Sequence, residues 1–289
     1  MHASGGQVIP LKMRVDHSPG SRYYDKGTMQ TEGKYAVSLT GPEIMIVPDA
    51  EVLSARAAHL LVTQIEGTVQ AGTRPTVALT GGSTPKRLYH LLAHDDAVRR
   101  RIPWNEVHFF WGDERHVPPE HGDSNYRMAR EAFLSAVPVS AQNIHRIHAE
   151  NTDASAAATE YERQLRTLFG LEEGQFPRFT CVLLGMGADG HTASLFPGTA
   201  ALGEQRCLVV ANWVEQLQTY RITLTVPVLN SAELVIFLVS GREKAEALRA
   251  VLEGAWQPEQ FPAQLIRPAE GRLVWIVDHA AASRLTCEG

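Results

Sequence analysis

The chain is short of cysteine, of basic charge and of long apolar runs, and each shortage excludes something. Only Cys181, Cys207 and Cys287 are present among 289 residues, with no CxxC pair. A disulfide framework is thereby excluded, and a reducing, cytoplasmic setting is expected. No stretch approaches the roughly 20 apolar residues of a membrane helix, so no membrane association is expected. The opening residues lack a basic start followed by an apolar segment, so no secretory leader is expected. Lysine and arginine number 27 against 32 acidic residues, a net charge of −5. No basic block stands out to neutralise a nucleic-acid backbone, and no nucleic-acid partner is expected. An anionic ligand must then be held by a few placed donors.

What is present is a rhythm. Residues 1–40, rich in Gly, Ser, Lys and Asp without an apolar period, are expected to form a flexible N-terminal arm. From Glu43 onward, apolar runs predict strands at Glu43–Val47, Thr76–Thr80, Val107–Trp111 and Phe179–Leu184, then at Cys207–Ala211, Ile222–Val226, Leu234–Val239 and Leu273–Val277. Helical spacing lies between them. One helix starts at the cap Asp49 and runs until Gly72, and another runs through about Ala93. Others span Asn125–Leu134, Asp153–Phe169 (stopped by Gly170) and Arg242–Leu252. Apolar strands alternating with amphipathic helices predict an α/β fold: a three-layer αβα arrangement with a mostly parallel, Rossmann-like central sheet. Residues 41–289 are expected to form it as a single domain. Ligands in such sheets sit beyond the carboxyl ends of the strands, and three loops there carry unusual chemistry.

The first is Thr80-Gly81-Gly82-Ser83-Thr84-Pro85. Two glycines allow a tight turn, Ser83 or Thr84 is expected to cap a helix, and Pro85 to fill its first position. Free backbone N–H groups, two hydroxyls and a helix dipole would then converge on one point that suits a phosphate. Neither a Walker loop nor a nucleophile elbow fits these residues. The loop alone fits an ordinary capped turn equally well.

The second loop follows the strand ending at Trp111 and delivers Asp113, Glu114, Arg115 and His116, then Ser124-Asn125-Tyr126. Arg115 is the natural anion ligand because its planar fork matches phosphate, and Asp113 and Glu114 could orient it. The competing reading is a solvated charged turn. The third loop is Gly185-Met186-Gly187-Ala188-Asp189-Gly190-His191-Thr192. It matches the dinucleotide fingerprint GxGxxG, but Asp189 would lie where a pyrophosphate belongs and Pro197 would stop the helix early. The alternative is a sharp turn presenting Asp189 and His191, a carboxylate-oriented imidazole suited to proton transfer. His145 and His148 would point to opposite faces of an extended segment, so no metal chelation by that pair is expected.

Taken together and in this order, the motifs resemble the 6-phosphogluconolactonase family. They are TGGSTP at Thr80–Pro85, FFWGDERHVP at Phe109–Pro118, SNY at Ser124–Tyr126 and LLGMGADGHTASLFP at Leu183–Pro197, with RITLTVPVLN at Arg221–Asn230 and VSGREKAEAL at Val239–Leu248. Glucosamine-6-phosphate deaminase is related, but there the segment after Gly-His runs toward Phe-Asn-Glu-Pro, where this chain has Thr192–Pro197. The resemblance implies hydrolysis of 6-phospho-D-glucono-1,5-lactone to 6-phosphogluconate in the oxidative pentose phosphate pathway, with no cofactor and no metal. It implies His191 as the base activating water and Asp189 as its orienter. The phosphate would be held by Gly81, Gly82, Ser83, Thr84 and Arg115 with Asp113, Lys244 would be a further anion ligand, and Asn125 would bind sugar hydroxyls. The partner expected is the small-molecule sugar-phosphate lactone, and the protein is expected to be a monomer or small homo-oligomer. Glu215–Tyr220 replaces a Pro-rich stretch common in similar proteins, so Arg221 is left without an assigned role.

Overall fold

The computed structural model describes residues 12–15 and 42–286. In chain order the strands are β1 (Lys12–Val15), β2 (Glu43–Val47), β3 (Thr76–Leu79), β4 (His108–Trp111), β5 (Asp113–Arg115) and β6 (Ile144–His145), then β7 (Cys181–Leu184), β8 (Val209–Val214), β9 (Thr219–Leu224), β10 (Leu234–Val239) and β11 (Arg272–Asp278). The helices are α1 (Ala50–Gln70), α2 (Ser83–His94), α3 (Asp96–Arg99), α4 (Asn125–Ala132), α5 (Ala154–Phe169), α6 (Val226–Asn230) and α7 (Ala245–Glu253).

Eight strands form one sheet in the order β1-β2-β11-β10-β7-β3-β4-β6. Every pairing in it is parallel. Its centre follows from the apolar runs: all of β7 and β10 is buried, as a strand covered on both faces requires. Phe237 stands opposite Trp275 in register, their rings stacked at 3.7 Å. Helix α1 begins where Asp49 Oδ1 accepts from the N–H groups of Glu51 and Val52, and buries a stripe of Leu53, Ala57, Leu61 and Ile65. Helix α5 is capped by Asp153 and stopped by Gly170 at φ +63°. After β3 the chain moves to β4 on one side, whereas after β7 it returns to β10 on the other. The loops following β3 and β7 therefore flank the point where a ligand crevice opens.

The structure corrects three sequence expectations. Most of residues 1–40 lies outside the described residues, but Lys12–Val15 forms a strand paired with Glu43–Ile46 at the sheet edge. The strands expected at Cys207–Ala211 and Ile222–Val226 are β8 and β9, shifted along the chain. They lie outside the parallel sheet, in an antiparallel sheet ordered β5-β9-β8. The reason is the connection: Glu215–Gln218 is a hairpin turn, and a parallel pair needs a crossover of a dozen or more residues. Thirdly, Asp113–Arg115, expected as a loop, is a strand.

His145 on the edge strand β6 stacks on Phe110, and its Nε2 lies 2.9 Å from His108 Nδ1. His148 pairs instead with Glu160. Burial, reinforced by the His108 charge, lowers the His145 pKa to about 4. An unfolded imidazole titrates near 6.5, so between these values the unfolded chain holds more protons and stability falls as pH drops. Melting temperatures measured from pH 7 to 4.5 are expected to fall, and more steeply than those of a His145→Asn variant.

Candidate active site

The buried strand β7 delivers the third loop. Its turn is closed by Gly187 N donating to His191 O at 2.9 Å and Gly190 N donating to Gly187 O at 3.1 Å. Thr192 Oγ1 donates to Gly185 O at 2.8 Å. A Cβ on Gly187 would overlap the side chains of both His191 and Asp189, so only glycine lets those two groups fold back over the backbone. His191 Nδ1 lies 2.5 Å from Asp189 Oδ1, which also accepts from His191 N at 3.1 Å. An ionised carboxylate only accepts, so Nδ1 carries the hydrogen, and in the neutral imidazole the lone pair is then on Nε2. Nε2 has no hydrogen-bond partner among the described residues. Phe196 stacks on the imidazole at 4.1 Å, which fixes the ring plane. Burial pushes the Asp189 carboxyl up, but the hydrogen bond and charge of His191 outweigh it and hold Asp189 below its ordinary range. No helix starts between Gly185 and Thr199, so the dinucleotide reading of GxGxxG lacks the helix N-terminus it requires.

Gly187→Ala is expected to keep the fold while displacing the imidazole. A misplacement of about 1 Å costs roughly 10²-fold in rate, and the loss would be read in kcat with an unchanged circular-dichroism spectrum.

In the first loop the Tyr89 hydroxyl accepts from Thr80 N at 2.9 Å and donates to Thr80 O at 2.8 Å, pinning the end of β3. Gly82, at φ +114°, is the N-cap of α2, and no side chain caps the helix. Ser83 and Thr84 thus stand in the first turn rather than before it, and Pro85 follows them. The expected hydroxyl cap and proline first position are corrected, because the left-handed cap conformation falls on a residue only glycine fills cheaply. The N–H groups of Ser83 and Thr84, in the first turn of α2, have no intrahelical partner.

The second loop is more interior than its charges suggest. Glu114 is buried and holds the start of α4: Oε1 accepts from Arg115 N and Asn125 N, and Oε2 accepts from Tyr126 N and Ser124 Oγ. Burial raises its carboxyl pKa against the pull of those N–H groups. Ser124 caps α4 by accepting from Arg127 N. Asp113 is also buried, its Oδ2 accepting from Ser194 Oγ at 2.7 Å. Asn125 Nδ2 donates to Asp113 O at 3.0 Å, and a Cβ on Gly81 would overlap Asn125 Oδ1. Asp113 and Asn125, expected to meet substrate, are both buried here and tie neighbouring loops together.

Arg115 is half-buried, and its guanidinium donates to Asp123 O. Directly across the ladder stands Arg221, a residue that sequence reasoning left unassigned and that a hairpin register would have revealed. Arg221 donates to Tyr220 O at 3.3 Å. Burial, then the Arg115 charge, lowers its pKa. Neither arginine makes an ion pair among the described residues, and the two are register partners on adjacent strands, with Asp113, Asp123 and Glu114 near enough to act on the Arg221 charge. The planar forks of two adjacent arginines make the gap between them a candidate anion site.

Lys244 lies after β10, next to β7, as the N-cap of α7. It is half-buried, and no contact joins it to the other site residues among those described. Its loop is fixed by Asp278, unnoticed in the sequence, whose buried carboxylate accepts from Ser240 Oγ, Gly241 N and Ala281 N.

Fold and site together define an α/β protein with a His–Asp pair and a cross-strand pair of arginines. The family model described as "Glucosamine-6-phosphate isomerases/6-phosphogluconolactonase" matches residues 48–275, and the chain belongs to that family. It is 41% identical over 244 residues to the 6-phosphogluconolactonase of Nostoc sp., covering 84% of this chain and 98% of that protein. The solved structure of 6-phosphogluconolactonase from Trypanosoma cruzi matches with a TM-score of 0.75 at 30% identity, covering 86% of this chain and 98% of that one. A monomeric glucosamine-6-phosphate deaminase shares the fold at TM-score 0.69 and 23% identity, covering 83% and 99%.

Proposed function

We propose that the chain hydrolyses 6-phospho-D-glucono-1,5-lactone to 6-phosphogluconate, the step its named relatives carry out in the oxidative pentose phosphate pathway. The observation that carries this reading is the Asp189–His191 pair, with Nε2 free, together with the cross-strand Arg115–Arg221 pair. His191 Nε2 takes a proton from water as its oxygen attacks the lactone carbonyl carbon. Asp189 stabilises the imidazolium that forms. The tetrahedral intermediate then expels the ring oxygen, which takes the proton back from His191 and leaves as a hydroxyl of the open acid. The substrate phosphate is held by Arg115 and Arg221 with the open N–H groups of Ser83 and Thr84, and Lys244 is a further candidate for the anionic ends of substrate or product.

The test is lactone loss with the purified protein, corrected for spontaneous hydrolysis, run beside an assay of ammonia release from glucosamine 6-phosphate. Catalysed lactone loss without ammonia is expected. Ammonia release without catalysed lactone loss would overturn the proposal.

A further inference from the structure

Ser194 is buried at 1% exposure, too deep to touch a substrate, yet every polar group it owns is engaged by a different strand of the small antiparallel sheet. Its Oγ donates to Asp113 Oδ2 on β5 at 2.7 Å. Its N–H donates to Thr223 Oγ1 on β9 at 3.3 Å. Its carbonyl accepts from Asn212 Nδ2 on β8 at 2.9 Å. The ladder register explains the convergence. Asp113 pairs with Thr223, and Arg115 pairs with Arg221, which pairs in turn with Asn212. Cross-strand partners and residues two apart share a face, so the three residues that grip Ser194 and the two arginines of the anion gap project from one side of one sheet.

The other end of the grip is the base. Thr192 to Leu195 is a tight turn closed by Leu195 N donating to Thr192 O at 2.9 Å, with Ala193 at φ +47°, a left-handed conformation costly for a residue with a Cβ. Asn212 Nδ2 also donates to Thr199 Oγ1 at 3.0 Å, and that hydroxyl donates to Phe196 O at 2.8 Å. Phe196 is the ring stacked on His191. The network therefore fixes the chain within that turn and just after it and, through Phe196, the plane of the imidazole.

We infer that Ser194, gripped by Asp113, Asn212 and Thr223, is a positioning residue that sets His191 relative to the Arg115–Arg221 anion gap. The inference rests on His191 being the base. A substrate tethered by its phosphate presents its carbonyl at one fixed reach from the arginines, so the base must be held at the matching reach. A buried, fully engaged polar network does this more rigidly than apolar packing, because each group loses a hydrogen bond if it shifts.

The test is a double-mutant cycle. Ser194→Ala is expected to lower kcat roughly 10–100-fold. Affinity for inorganic phosphate, read as competitive inhibition, should stay within about twofold because the arginines are untouched. In a His191→Ala background the same substitution should change the residual rate by less than about twofold. If Ser194→Ala does not fold, Asn212→Ala, which loosens the grip from β8, is measured in its place with the same expectations. Retention of kcat within about twofold in the folded variant overturns the inference, as does an equal loss with and without His191. A rate unaffected by His191→Ala alone removes the base assignment, and the inference with it.

Discussion

Replacing His191 by alanine is expected to lower kcat for lactone hydrolysis by about 10²–10⁴-fold, the usual worth of a positioned general base. The side chain is 29% exposed and ties mainly to Asp189, so the melting temperature should change little and KM should stay within a few-fold. Asp189→Asn is the sharper companion. An amide at that position can donate to Nδ1, which moves the imidazole hydrogen to Nε2 and removes the lone pair that accepts a proton from water. Its kcat should approach that of His191→Ala although the imidazole is still present. Rates of the two variants within tenfold of wild type, measured after subtracting spontaneous hydrolysis, would show that the pair does not perform the proton transfer.

Arg115→Ala and Arg221→Ala should act on binding. A hydrogen bond to a charged group is worth about 1.5–3 kcal/mol, so each substitution is expected to lower kcat/KM roughly 10–100-fold, chiefly through KM. The two also have an opposite effect on the empty protein. Like charges directly across a ladder destabilise it, and Arg115 and Arg221 are register partners. Removing either should leave the ligand-free melting temperature equal or higher while abolishing most of the stabilisation that inorganic phosphate gives wild type. Lysine is a poor substitute at either position, because it lacks the planar fork. An unchanged KM for both variants would remove the gap from the substrate site.

Much of this architecture was legible in the residues. Strands such as Leu234–Val239 announce themselves because burial on both faces demands an unbroken apolar run. Helices α1 and α5 carry their own punctuation in Asp49, Asp153 and Gly170. The third loop was readable for a related reason: its glycines are needed by local geometry, where Asp189 and His191 occupy the space a Cβ would take. What escaped is set by partners distant in sequence. Asp113 and Asn125 look like rim residues because they are polar and lie in a polar stretch. Ser194 and Gly81, arriving from other loops, pack against them. Arg221 acquires a place only when β9 turns back beside β5, and nothing local fixes that orientation except the short turn at Glu215–Gln218. The cap of α2 fell on Gly82 because its positive φ outweighed the hydroxyl preference of Ser83 and Thr84.

The edge strand β1 has a consequence for how the protein is handled. Lys12–Val15 covers the outer hydrogen-bonding border of β2 along Glu43–Ile46. A chain trimmed to start at residue 42 would look complete by every feature of the site. It would nevertheless expose a row of unpaired N–H and C=O groups on an apolar strand, Glu43-Ile44-Met45-Ile46-Val47, which is a template for pairing with another molecule. The trimmed chain should keep its chemistry and lose its solubility.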